Sequence, residues 1–302
     1  MHSSNPRGGS WWAGVLVVCS AFVFLHPLTA QQNKPASSIH WEDGPTVGKL
    51  GDIAQITIPE GYQFTGKEGA AKVMELTENP ASGRELGVVV PIREKGQRGW
   101  FVIFEFDATG YVKDEEKDKL DADAILKSLH DGTEESNKER KAKGWKGFHV
   151  VGWSKSPFYD SNSHNLTWSI RGQQDGEAGE NINYSVRILG RKGTMSVDLV
   201  LVPELVPTVV PEFENLLTGF SFLPGQKYSE FRAGDKIAEY GLTALIAGGA
   251  AAVALKSGLL AKLWKLIVVA FVALAAVIKR IFAYLKRLIK GEAAQQNTLP
   301  QG

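Results

Sequence analysis

The residues best suited to chemistry in this chain crowd into "GWSKSPFYDSNSHNLTWSI", Gly152 to Ile170. Asp160 and His164 pair a carboxylate with an imidazole, the groups a general acid–base or hydrolytic site needs. Trp153, Phe158, Tyr159 and Trp168 offer flat faces on which a ligand could stack, and Pro157 stiffens the backbone between them. The run reads as a connection between two strands, where binding residues gather. It also has a plain structural reading, in which the aromatics plug a core and Asp160 holds a turn through backbone N–H groups. Catalysis requires Asp160 and His164 to meet within about 3 Å in an open cleft. Binding requires only that some of the rings stay exposed.

The rest of the chain offers less. His40 and His130 have no partners at ligand spacing, and His149 falls in an apparent strand as a half-buried sheet residue. No HExxH pattern, nucleophile elbow or phosphate loop is present. No metal or other cofactor is therefore expected. Asp121 and Asp123 follow "KDEEKDK" but lack the calcium-loop spacing, and they read as a helix start. The one cysteine, Cys19, excludes an internal disulfide framework. A formal net charge of +1 gives no argument for a nucleic-acid partner, and none is expected.

These groups must be held by a folded body that begins near Ile39. "IAQITIP" alternates like a half-buried strand, and Gly66 to Glu78 reads as a short helix. "LGVVVPI" and "WFVIFEF" read as two further strands. Asp121 to Gly144 reads as an aspartate-capped helix that frays at Gly132. Four strands follow, at 147–153, 165–172, 181–190 and 194–202. "GRKG" turns the last pair into a hairpin and carries charge that keeps the turn soluble. A helix from Pro207 and a short strand close the body. Long strands with short turns, flanked by helices, argue an α+β fold with a largely antiparallel sheet.

Both ends speak of a membrane. Arg7, the apolar run Val15–Leu25 and "PLTAQQ" make a secretory signal over residues 1–30, with a retained anchor as the alternative. Residues 31–38 are a polar linker. "LVVC" resembles a lipidation site only faintly, because Val18 is not small. Leu266 to Ile278 carries no charge but covers only ~20 Å of a ~30 Å hydrocarbon core. Extending it back to Leu259 reaches the full thickness if Lys262 and Lys265 snorkel. Residues 259–278 are thus a C-terminal transmembrane helix. Lys279, Arg280, Lys286, Arg287 and Lys290 then hold the tail, 279–302, in the cytoplasm. Residues 226–258 are a Gly/Ala-rich segment, in which Tyr240–Leu255 is a membrane-proximal stretch or the first arm of a membrane hairpin. An interfacial arrangement is the third alternative.

The stretches "GDIAQITIPEGYQF", "GYVKDEEKDKLDADAIL", "GWSKSPFYD", "VRILGRKGTMSVDLV" and "AEYGLTALIAGGAAAV" occur in this order. In them the chain resembles a bacterial membrane-anchored family catalogued as domain of unknown function twenty-one sixty-seven, over roughly residues 40 to 285. The resemblance implies an exported domain on a C-terminal anchor and implies no reaction. A weaker likeness, at the level of fold, is to the PsbP-like sandwich of sheet and helices. The expectation is an extracytoplasmic domain, 39–225, at a bacterial cytoplasmic membrane. Its partners are membrane lipid and an envelope protein or other envelope component. The alternatives are a hydrolase acting on envelope material and a membrane assembly or stress factor.

Topology reporters test the arrangement. Fusions at Gly225, Ser257 and Gly302 are expected to report outside, outside and inside. A hairpin gives outside, inside, outside, and would show that Tyr240–Leu255 crosses.

Overall fold

The computed structural model describes residues 39–79, 81–94 and 99–247. The expected signal peptide, linker, transmembrane segment and basic tail lie outside them. Among the described residues no helix is long and apolar enough to cross a membrane.

The chain opens with short strands β1 (Glu42–Asp43), β2 (Thr46–Leu50), β3 (Ala54–Ile58) and β4 (Tyr62–Gly66). Helix α1 (Lys67–Leu76), β5 (Glu85–Pro91), β6 (Phe101–Asp107) and α2 (Ala122–Ala142) follow. Then come β7 (Phe148–Asp160), β8 (Asn165–Gln174), β9 (Glu180–Leu189) and β10 (Thr194–Leu201). Helix α3 (Val206–Leu217), β11 (Phe220–Phe222) and α4 (Leu242–Ala247) complete the order. Eight strands form one antiparallel sheet in the order β1-β4-β5-β6-β10-β9-β8-β7, and β11-β3-β2 form a second. The α+β architecture is that expected from the strand and helix pattern.

The two sheets face each other. Leu50, Ile56 and Ile58 of the small sheet, with Phe213 of α3, pack on Phe104, Tyr184, Val186 and Val197 of the large one. The opposite face of the large sheet is covered in two places. Ala70, Val73 and Met74 of α1 sit on Val88, Ile103 and Val200. Ile125 and Leu129 of α2 and Leu242 and Ile246 of α4 sit on Val150, Leu166, Trp168 and Ile170. Both faces of β9 and β10 are thereby out of water, although "NINYSVRIL" and "TMSVDLV" alternate as if one face were solvated.

Part of the polar side of that alternation pairs internally, while Asn183 and Thr194 bury side-chain polar atoms that bond to nothing. Asp198 accepts from Ser185 Oγ at 2.5 Å and from Arg187 at 3.0 Å. The Arg187 guanidinium lies 4.6 Å from the centre of the Trp168 ring. One strand further on, Glu105 accepts from Ser82 Oγ at 2.6 Å. Its carboxyl is pushed up to about 7 by burial, with Asp198 and Glu85 adding repulsion and Ser82 and Arg84 opposing.

Helix α2 starts as expected, with Ala124 N–H donating to the Asp121 carboxylate at 3.0 Å. It does not fray at Gly132 but runs on to Ala142. Its second half is held by buried polar side chains. The Asn137 amide exchanges two hydrogen bonds with the backbone of Phe148, at 2.8 and 2.9 Å, as a neighbouring strand would. Arg140, 1% exposed, donates to the carbonyls of Lys146 and Glu78. His149 is exposed rather than half-buried, and lies between Glu134 of α2 at 2.7 Å and Asp175 at 3.1 Å.

The packing continues beyond Gly225. A short turn at Tyr228–Glu230 and helix α4 both belong to the folded body, and Leu242 and Ala247 are fully buried.

Glu105 makes stability pH-dependent. Its folded value lies above the unfolded one, so folding favours the protonated form. Ionisation begins to cost stability above the ordinary glutamate value, and the cost is complete above the folded value. Glu105→Gln is therefore expected to stabilise the domain by about 3 kcal/mol at about pH 8 and hardly at all near about pH 4. Urea titrations at the two pH values measure it, and equal effects at both would place the charge elsewhere.

Candidate functional site

The run from Gly152 to Ile170 is not a loop. Strand β7 continues to Asp160 as an edge strand, with register shifts at Val150/Gly152, Trp153/Lys155 and Lys155/Phe158. Pro157 sits in the last irregular stretch, where a missing N–H breaks no regular ladder bond. Bulges and proline suit an edge strand, because they spoil the edge as a template for another chain.

The six candidate residues of the run separate. Trp168 is 3% exposed and belongs to the core under α2. Trp153 packs beside the same core, and its ring N–H donates to the Ala122 carbonyl at the start of α2 at 3.2 Å. Asp160 is a turn residue. It accepts from Asn162 N–H at 3.0 Å and from Ser163 Oγ at 2.7 Å, and these bonds hold its carboxyl below the usual range. Tyr159 and His164 do come together. His164 has a left-handed backbone, φ 55°, which returns the turn so that its Nδ1 lies 3.1 Å from the Tyr159 hydroxyl. Tyr159 gives its one proton to Asp114 at 3.1 Å. The contact with His164 therefore needs a proton on Nδ1, which donates to the Tyr159 oxygen. Burial, with Asp114 alongside, holds the Tyr159 hydroxyl above its ordinary value.

His164 is one end of a row of rings. Its ring centre lies 4.4 Å from that of Tyr228, Tyr228 lies 4.3 Å from Tyr111, and Tyr111 lies 4.4 Å from Phe231. Phe231, at the far end, is 40% exposed. Tyr111, Asp114, Tyr228 and Phe231 were not candidates in the sequence. Tyr228 and Phe231 lie far along the chain from His164, and only the strap at 226–240 brings them there.

That strap is tied down at several points. Tyr111 N–H donates to the Lys236 carbonyl at 2.8 Å, and Ala238 N–H donates to the Tyr111 carbonyl at 2.9 Å. Gly110, with φ 105°, allows the approach, since a Cβ there would meet the Lys236 oxygen at 2.6 Å. The Tyr228 hydroxyl donates to the Val112 carbonyl at 3.0 Å. Arg191, in the "GRKG" turn, grips Asp235 with two bonds of 2.7 Å and holds its carboxyl down at about 2. The charge in that turn thus fastens the strap as well as sitting at the surface. Among the described residues, no three or more of His, Cys, Asp and Glu converge as a bound metal ion would require.

A two-sheet α+β domain with an aromatic row at one end defines a class of architecture without defining a reaction. The chain belongs to the family described as protein of unknown function (DUF2167), which matches residues 42–279. No curated protein matches it. Among solved structures it is similar to cyanobacterial PsbP (CyanoP) from Synechocystis sp. PCC 6803, at 12% identity and a TM-score of 0.35, over 66% of this chain and 100% of that one. It is also similar to the Saccharomyces cerevisiae Ran-binding protein Mog1p, at 9% identity and a TM-score of 0.33, over 65% and 100%. A Pseudomonas aeruginosa protein of unknown function, PA94, described as a putative regulator, matches at 16% identity and a TM-score of 0.23, over 57% and 92%. Likeness at this level decides nothing about function.

The division of the six residues predicts a difference in stability. Trp153→Ala removes core packing and the bond to Ala122, and is expected to cost about 3 kcal/mol. Asp160→Ala loses only bonds within an exposed turn and is expected to cost less. Urea titration of both variants decides it, and a neutral Trp153→Ala would show that the ring is not a structural support.

Proposed function

We propose that this protein is a membrane-tethered, extracytoplasmic binding module, and that its aromatic row is the face that engages a component of the envelope. The observation that carries this reading is the row itself. Four rings lie in contact from His164 outwards, with Tyr228 and Tyr111 stacked and the end rings tilted, and the last, Phe231, is 40% exposed. Contiguous exposed apolar side chains rimmed by polar residues are the surfaces that interaction sites use.

The tether rests on the apolar stretch 259–278 and the cations after it. Helix α4 supports a single crossing. Leu242–Ala247 is committed to the domain, which leaves the uncharged residues Gly248–Leu255 for the first arm of a hairpin. As a helix these extend only ~12 Å, well short of a ~30 Å hydrocarbon core. The hydrolase reading is weaker, because the two Asp160 oxygens are taken up by Asn162 and Ser163 rather than turned to His164.

A photo-crosslinking residue in place of Ser229, exposed beside the row, tests the reading in intact membranes. Adducts with an envelope component are expected there and not from the same residue at Glu75, exposed on α1. Equal labelling from both positions would count against the row as a binding face.

A further inference from the structure

We infer that the strap carrying Tyr228 and Phe231 of the ring row, residues 226–240, is the surface on which the domain rests against an anionic lipid bilayer, with lipid phosphate as the group its cations meet. The inference rests on the tethered-module reading and names the envelope component.

Two exposed apolar side chains form one patch. Phe231 and Ile237 are 40% and 39% exposed. Ile237 is the bridge partner of Tyr111, and partners in a bridge project to the same side. The Phe231 ring lies against that same Tyr111. The patch is therefore Phe231, Tyr111 and Ile237, with Tyr228 behind.

Cations fringe it. Lys227, Arg232 and Lys236 of the strap are exposed. Lys192 joins them, because its carbonyl accepts from Gly110 N–H, one residue from Tyr111. The acids of the strap are mostly engaged. Asp235 is paired with Arg191, and Glu230 is turned back on the Lys227 N–H at 2.9 Å. Glu239 remains exposed. Rings and an aliphatic side chain at headgroup depth, ringed by Lys and Arg, are the composition of an interfacial surface. A second copy of this chain would bring the same cations against these and repel them.

Chain length supports the same occupant. The strap runs directly into α4, and only residues 248–258 separate Ala247 from Leu259. Fully extended they reach no more than ~40 Å. A domain whose tether enters the bilayer at Leu259 thus keeps this end close to lipid.

The test uses the full chain, with Cys19→Ser and Ala233→Cys, labelled at the exposed position 233 with an environment-sensitive fluorophore. It is reconstituted into vesicles of phosphatidylglycerol and phosphatidylcholine. The expected result is a blue shift and loss of emission when the acyl chains carry spin labels. The same probe at Glu75→Cys is expected to show neither. Adding Phe231→Ser and Ile237→Ser should restore the emission, and vesicles of phosphatidylcholine alone should weaken the quenching. A probe at 233 that stays in water while the protein floats with the vesicles overturns the inference and leaves the tether standing. A blue shift without lipid quenching overturns it in favour of contact between copies of the chain, the one protein those vesicles hold. Failure to float overturns the tether and the inference with it.

Discussion

The structure depends on strands β9 and β10 being covered on both faces. Two strands in mid-sheet cannot expose a polar face when helices lie across it. A polar group buried there without a partner costs roughly 1–3 kcal/mol, and Asn183, Thr194 Oγ1 and Asp198 Oδ2 are left in that state. Ser185 and Arg187 avoid that cost by bonding to one oxygen of Asp198, and Trp168 lies under the guanidinium. The three-layer arrangement follows: small sheet and α3 on one side, helices on the other.

The outer parts hang on this centre. The β9–β10 hairpin ends in Arg191, which fastens the strap, and β8 leads back to the turn at His164. The row of rings is therefore assembled at one end of the sheet, where the start of β8 pairs with the end of β9 beside the β9–β10 turn. At the other edge, Asn137 supplies to Phe148 the bonds of a missing neighbour and seats α2 on β7. The bulges that follow bend the strand so that Tyr159 reaches Asp114.

Much of this was legible in the residues. Alternation located β3, β8, β9 and β10, and the aspartate before α2 marked its start. The length of α2 was not, because the polar residues of its second half look solvated, and only the fold shows that Asn137 and Arg140 are buried. The end of β7 was hidden by Pro157 and a run of small polar residues, which read as a loop when an irregular edge strand carries the same composition. At the site, Tyr159 and His164 were visible as a local cluster. Their partners were not, since Asp114 and Tyr228 meet them only across the fold. Asp160 stood out by type but serves its own turn.

The order in which the chain leaves the domain has a mechanical meaning. Behind the last described helix, α4, the backbone runs first through the strap and the Arg191–Asp235 clasp, and only then back to the sheet. Tension applied from the C-terminal side would load α4 and the clasp before any ladder bond of the large sheet. Those contacts can peel one after another, whereas the antiparallel ladders beneath must be sheared or unzipped together. A pull would thus uncover Tyr111 and Tyr228 while leaving the two-sheet core whole, so the outer end of the ring row would be the first part of the molecule to register force.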